Sequence, residues 1–325
     1  MGTTTYRLSR RAAIGAIGAA CVLPRSALAG TLATATGWAF GTSWRIVAPG
    51  GTDLVDLMPA VEALFAGIDR TFSPWRADSV ISRFNAGPAG QSLRNRDLAD
   101  VTAAALGITR QSGGAFDPTV GPLVARWGFG PIQGDGAPDW RGLSVRRDMI
   151  AKTRDDLTVD LCGIAKGWAL DRAVVLLRAA GVDNFLFELG GEFRAVGRHP
   201  DERNWRVVIE TPDWTPEPPM TLDLPSGVAV ATSGVWAQSY DLNGRLYSHI
   251  IDTGTGLPVS GALRSVTVVA ADAMTADGWA TALCAAGAKA GPESATVQGL
   301  AAVFQIELEG ELRRVKTGAI RQVPA

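Results

Sequence analysis

Two short segments, more than any others, limit how this chain can fold: Asp160-Leu-Cys-Gly-Ile-Ala-Lys-Gly167 and Ala276-Asp-Gly-Trp-Ala-Thr-Ala282. The first reads as a strand end, a tight glycine-bearing turn and a helix start, with one lysine among small residues. Such a backbone suits close approach to phosphate. Glycine lets the chain come near, helix N-terminal N–H groups face the anion, and Lys166 adds charge. The second segment puts Asp277 and Thr281 four residues apart. On a helix their oxygens share one face and could hold a hard cation. The alternative, a polar pair on a solvated face, conflicts with Trp279, Ala280, Ala282 and Leu283, which make that helix largely buried. A buried carboxylate needs a cation or strong donors beside it. The two segments together point to Mg²⁺-dependent chemistry on a nucleotide.

Hydrophobic spacing supplies the surrounding elements. Leu54, Leu57, Met58, Val61, Leu64, Phe65 and Ile68 fall on one helical face. Further helices are predicted over about 97–112, ending at Gly113-Gly114, and from Gly163 to Gly181, with Trp168, Ala169, Ala173, Leu176 and Leu177 apolar. A fourth carries Asp277 and Thr281 and stops near Gly287. Strands are predicted at 184–189, 205–210, 228–231, 245–251 and 265–270, with a C-terminal hairpin of 303–308 and 311–315 turning at Glu309-Gly310. Residues 211–227 hold five prolines and predict a loop. No repeat or long linker divides residues 30–325. These elements predict one catalytic unit, α+β with an α/β-like alternation, of mixed sheets with packed helices.

Ser9-Arg10-Arg11, the apolar run from Ala12 to Leu23 and Ala27-Leu28-Ala29 predict a Tat-type export signal over residues 1–29 and a periplasmic mature protein, with soluble export favoured and membrane association, from the lipoprotein-like Gly18-Ala-Ala-Cys21, as the alternative. The formal net charge of −1 becomes −5 once the four arginines of that leader are removed. A mildly acidic surface gives no electrostatic footprint for nucleic acid. Cys162 and Cys284 flank the two opening segments and predict buried free thiols, with a disulfide as the alternative in an oxidising compartment. Of two histidines, His199 in Gly-Arg-His-Pro predicts a solvated turn. His249, just before the turn Thr253-Gly-Thr-Gly256, reads either as a core imidazole or as a functional group. Ser233 in Ala231-Thr-Ser-Gly234 lacks the nucleophile-elbow pattern, so serine hydrolysis finds little support.

Other segments fit a nucleotide site. Gly114-Ala-Phe-Asp-Pro-Thr-Val-Gly-Pro122 offers a ring and a carboxylate near backbone donors, and Leu189-Gly-Gly-Glu192 ends a strand where backbone can approach a ligand. Each also reads as a plain turn. Taken in order with Phe40-Gly-Thr42, Ser82-Arg-Phe-Asn85, Trp127-Gly-Phe-Gly130, His249-Ile-Ile-Asp252 and the two opening segments, they resemble the FAD:protein FMN transferase family, the ApbE-type flavin transferases, from about Phe40 to Gly287.

That resemblance implies an ApbE, T-fold-like architecture, Mg²⁺ as cofactor and FAD as substrate. The FMN half would pass through a phosphoester to a Thr or Ser of a partner flavoprotein, releasing AMP. It implies flavin contacts from Phe40, Trp75, Ala115, Phe116, Asp117, Asp160, Lys166 and Ile251, and metal ligation by the Gly163 carbonyl, Asp277 and Thr281. His249 and Asp160 become candidates for handling the acceptor's hydroxyl proton, and Lys166 for neutralising the pyrophosphate. With an export signal, the acceptor is expected to be a periplasmic or membrane electron-transfer subunit. The sequence departs from the family pattern at Phe40, commonly Met, at Cys162, usually Gly or Ser, and at Ala280, where some members carry a second carboxylate. An FAD pyrophosphatase and a non-enzymatic flavin carrier are the alternative readings.

Overall fold

Alternating side chains along eight strands sort themselves onto the two faces of one sheet. In a computed structural model, which describes residues 31–211, 215, 217–236, 238–243 and 245–323, these strands are Leu32–Ala39, Thr42–Pro49, Phe185–Leu189, Glu192–Val196, Ala229–Gly234, Leu263–Ala270, Ala301–Leu308 and Glu311–Thr317. They lie side by side in chain order, each antiparallel to the next. The predicted leader falls outside the described residues.

One face of the sheet presents Trp44, Ile46, Phe185, Phe187, Leu189, Ala231, Val266, Val268 and Phe304 to the helices. The other presents Ala195, Val230 and Val303 to a two-stranded ribbon, Trp205–Ile209 with Met220–Leu224. Residues one apart, such as Val230 and Ala231, thus serve different cores, as the pleat requires. Each large side chain so buried stabilises by about 1.5–3 kcal/mol before entropy is subtracted.

The helices are α1 (Met58–Phe72), α2 (Val80–Ala86), α3 (Arg96–Gln111), α4 (Gly121–Arg126), α5 (Ala165–Ala179) and α6 (Ala273–Val297). α1 buries Val61, Phe65, Ile68 and Phe72, at helical spacing. Side-chain caps start three of them. The Ser79, Asn95 and Asp272 oxygens accept from the N–H groups of Ser82, Leu98 and Thr275, at 3.1, 2.9 and 2.7 Å. Within α6, Gly287 (φ 79°, ψ −175°) breaks the helix where the sequence predicts a stop, and a second helical stretch continues to Val297.

Several expectations are corrected. The proline-rich stretch 211–227 contains a strand, because Met220, Leu222 and Leu224 alternate inward and pair with Trp205–Ile209. The single strand expected over 245–251 is two, Arg245–Ser248 and Ile251–Asp252, in separate two-stranded sheets. His249 lies between them. The segment before the glycine bend is no strand: the Asp160 N–H donates to the Pro118 carbonyl at 2.7 Å in a loop. His199 is buried, only 6% exposed, with its ring edge-on to Trp205. It accepts from the Asp201 N–H through Nδ1 and lies 3.0 Å from an Arg203 guanidinium nitrogen through Nε2. Both described cysteines are free, but only Cys284 is buried; Cys162 is exposed. No helix among the described residues is long and apolar enough to cross a membrane.

Candidate active site

α5 and α6 cross so closely that a side chain on Gly167 would overlap the carbonyl of Ala273. That approach brings the two opening segments together. The Asp277 carboxylate, 4% exposed, accepts from the Gly167 N–H at 2.9 Å. One turn on, the Thr281 hydroxyl donates to the Gly163 carbonyl at 3.2 Å. Ser233, at the end of a sheet strand, brings its hydroxyl to 3.4 Å from that of Thr281. The sequence predicts a helix N-terminus open to an anion, and the structure differs. Its Ile164 and Ala165 N–H groups bond to Leu161, and Gly167 is taken by Asp277.

Lys166 leaves this crossing toward the sheet. Its ammonium sits 2.7 Å from Glu192 and 3.4 Å from the Gly190 carbonyl. Glu192 is 2% exposed, and its second oxygen has no partner. Burial pushes the Glu192 carboxyl up to about 8, with Lys166 opposing and Asp277 adding to the rise. Burial works against the charge on Lys166, but the carboxylates of Glu192 and Asp277 outweigh it and hold its pKa above the ordinary value. Asp277 itself is raised by burial, against the pull of Lys166 and the Gly167 N–H. Two buried carboxyls and one half-buried lysine that shift one another in this way make the cluster a candidate site.

The residues the resemblance assigns to flavin contact distribute around this cluster unevenly. Phe40 and Gly41, both at positive φ (53° and 77°), form the two-residue turn between the first strands. That turn borders the Gly190 loop: the Gly190 N–H donates to the Ser43 carbonyl at 3.1 Å, and the position is crowded by Thr42. Phe116 is buried, and its ring would meet a side chain placed on Gly163. Asp160 accepts from the Cys162 N–H at 2.9 Å. Asp117 is raised by burial and spends one oxygen within its own loop, accepting from the Thr119 N–H at 2.8 Å and hydroxyl at 2.6 Å. Ala115, beside Phe116, is half-buried. Thr253 donates to the Gly114 carbonyl at 2.7 Å and so docks the His249-bearing segment, with buried Ile251, on that loop. Trp75 stands apart at the surface, 68% exposed.

His249 Nδ1 lies 3.1 Å from the Gln238 carbonyl, which fixes that nitrogen as the N–H and leaves Nε2 with a lone pair. Burial first, and then the charge of Lys166, hold its pKa below the ordinary imidazole value, against the Gln238 bond.

Sequence reasoning did not assign roles to four supporting residues. Glu192 and Ser233 stand in motifs that already attract notice. Asn85 accepts from the Val159 N–H at 2.7 Å and donates to its carbonyl at 2.9 Å, which secures the approach to Asp160. Lys152, 2% exposed, donates to the carbonyls of Asn85 and Asp155 at 2.7 and 2.9 Å. Asn85 closes Ser82-Arg-Phe-Asn85 and was findable. Nothing near Lys152 in sequence marks it.

The ApbE family model matches residues 40–304, which contain the whole of this cluster. The chain belongs to the ApbE family. Among ApbE relatives, it is 34% identical over 273 residues to the FAD:protein FMN transferase of Vibrio cholerae serotype O1, covering 79% of this chain and 82% of that one. To the protein of the same description from Escherichia coli K12 it is 32% identical over 299 residues, covering 85% and 84%. The fold agrees with solved ApbE structures. The apo Pseudomonas stutzeri flavinyl transferase ApbE superposes with a TM-score of 0.80 at 31% identity, covering 90% of this chain and 96% of that one. The ApbE protein of Thermotoga maritima gives 0.76 at 26%, covering 88% and 97%.

Proposed function

We propose that this chain is an exported FAD:protein FMN transferase that joins the FMN half of FAD to a Thr or Ser hydroxyl of a partner flavoprotein and releases AMP. The observation that carries the reading is the meeting of Asp277 and Thr281 with the Gly163–Gly167 bend, beside the Lys166–Glu192 pair, in a chain of this family.

The donor set fits a hard divalent cation. Asp277 presents a carboxylate at the Gly167 N–H and, one helical turn on, Thr281 presents a hydroxyl to the Gly163 carbonyl. Asp277, Thr281 and the Gly163 carbonyl would hold Mg²⁺, whose preference for few protein ligands plus water and phosphate matches so small a set. When bound, the ion supplies charge neutralisation on the pyrophosphate oxygens.

The chain's own groups do the rest. Lys166, oriented by Glu192, meets phosphoryl oxygens and offsets their charge. Phe116 and the Phe40 turn bracket the isoalloxazine, and Asp160 and Asp117 bond its polar edge. His249, neutral and held by Gln238, takes the proton from the acceptor hydroxyl through Nε2. The acceptor oxygen then bonds to the FMN phosphorus as the bridging P–O bond breaks, and the electron pair leaves with AMP. The twin-arginine leader supports action in the periplasm, on an electron-transfer subunit there or at the membrane.

Incubating the pure protein with FAD, Mg²⁺ and a Thr-bearing flavoprotein tests the reading. Covalent flavin fluorescence on the acceptor is expected. Free FMN with no adduct would make the chain a pyrophosphatase, and unchanged FAD would make it a carrier.

A further inference from the structure

α5 and α6 cap each other. The Gly167 N–H in the first turn of α5 donates to Asp277, one turn into α6, at 2.9 Å. In return, the Ala273 and Met274 N–H groups that open α6 donate to Asp171, one turn beyond Gly167 on α5, at 3.0 and 2.9 Å. The two halves of this clamp differ. Asp277 commits one oxygen to it, whereas Asp171 commits both, one to each N–H. α6 does not need Asp171 in order to start, because Asp272 caps it locally through the Thr275 N–H and hydroxyl, at 2.7 and 2.9 Å. What Asp171 adds is a fixed position of α6 against α5. Arg194 holds Asp171 in turn. Its Nε lies 3.3 Å from Asp171 Oδ1, and another guanidinium nitrogen donates to the carbonyls of Gly227, at 2.9 Å, and of Ala271, just before α6. Arg194 stands two residues from Glu192 on one strand and so on the same face, the first holding Asp171 and the second Lys166.

We propose that Asp171 and Arg194 are positioning residues for the cation site, holding α6 in register with the glycine bend so that Asp277 and Thr281 keep their places when a cation draws on their oxygens. The inference rests on the transferase reading and its Mg²⁺. Both residues act through α6 rather than on the cation or on FAD. The other contacts that join α6 to the bend are made by the candidate ligands themselves, Asp277 to the Gly167 N–H and Thr281 to the Gly163 carbonyl. A helix anchored only by its ligands would loosen as it bound the ion. A carboxylate outside the ligand set, with both oxygens engaged and an arginine behind it, does not. Support of this kind around metal ligands contributes about 10–100-fold in metal affinity.

The test titrates Mn²⁺ alone into the protein, read from the free-ion electron paramagnetic resonance signal, and separately measures FMN transfer to a Thr-bearing flavoprotein against Mg²⁺ concentration. Asp171→Asn, which loses the charge and one of the two acceptors, is expected to raise the Mn²⁺ Kd about tenfold and the half-saturating Mg²⁺ by the same factor, with kcat restored at saturating Mg²⁺. A merely structural role would lower the melting temperature without that split. Asp272→Ala supplies the comparison: it removes only the local cap of α6, and is expected to lower the melting temperature and leave the Mn²⁺ Kd unchanged. If Asp171→Asn loses its fold by circular dichroism, Arg194→Gln, which leaves both Asp171 oxygens on their N–H groups, must raise the Mn²⁺ Kd instead. An unchanged Mn²⁺ Kd in the folded variants, or an equal rise in Asp272→Ala, overturns the proposal. A wild-type protein that binds no Mn²⁺ removes the cation site and this role with it. One that binds Mn²⁺ but labels no acceptor removes the transferase reading, and the Mn²⁺ comparison then decides the clamp by itself.

Discussion

At the scale of single residues, Asp277 closes the α5–α6 crossing through Gly167, and in the proposed function it would also offer an oxygen to a cation. Asp277→Asn keeps an oxygen for the Gly167 N–H but removes the charge. Transfer to an acceptor is expected to fall at least about a hundredfold while the melting temperature holds, as read by in-gel flavin fluorescence and calorimetry. Full transfer in that variant would refute the metal assignment. The pH profile examines His249. A base must be unprotonated, and burial places its pKa below the ordinary imidazole value of 6.5. The rate is then fully present above that lowered pKa and lost as pH falls through it. The acid limb of kcat/KM is expected to lie below pH 6.5, and a midpoint above it would remove His249 from the role. Glycine spacing and the i,i+4 oxygens were legible in the sequence because they are local. The partner of Lys166 was not, since Glu192 comes from a distant hairpin and only folding brings the two to 2.7 Å.

At the scale of elements, the glycine at 167 is where two helices touch. Gly167→Ala would drive a methyl group into the Ala273 carbonyl and the Asp277 side chain. Overpacking of this kind costs about 1–3 kcal/mol, and thermal unfolding is expected to register it together with loss of transfer. Unchanged stability would mean the helices can separate freely. Amphipathic helices were readable because their apolar spacing survives any context. α1 and α3 lie near their expected positions, and Gly287 interrupts α6 as expected. The strand Met220–Leu224 was hidden by flanking prolines, whose turn signal masks the alternation of Met220, Leu222 and Leu224. The first strand was hidden for another reason. Leu32–Ala39 lies at the sheet edge with every second residue exposed, and its small alanines and threonines carry a weak period-two signal.

At the scale of the molecule, two cores on opposite faces of one sheet separate stability from chemistry. Leu222 sits in the ribbon core, away from the helices that build the site. Leu222→Ala is expected to cost about 2–5 kcal/mol in denaturant unfolding while KM for FAD stays at its wild-type value. A raised KM would show that the ribbon is coupled to the site. The contacts between the glycine bend and α6, by contrast, join residues 110 and 118 positions apart along the chain. A nascent chain therefore carries its glycine bend for a long stretch of synthesis with nothing to close it. Catalytic competence arrives only once α6 has been made and has docked, so a partly finished copy is inert toward flavin.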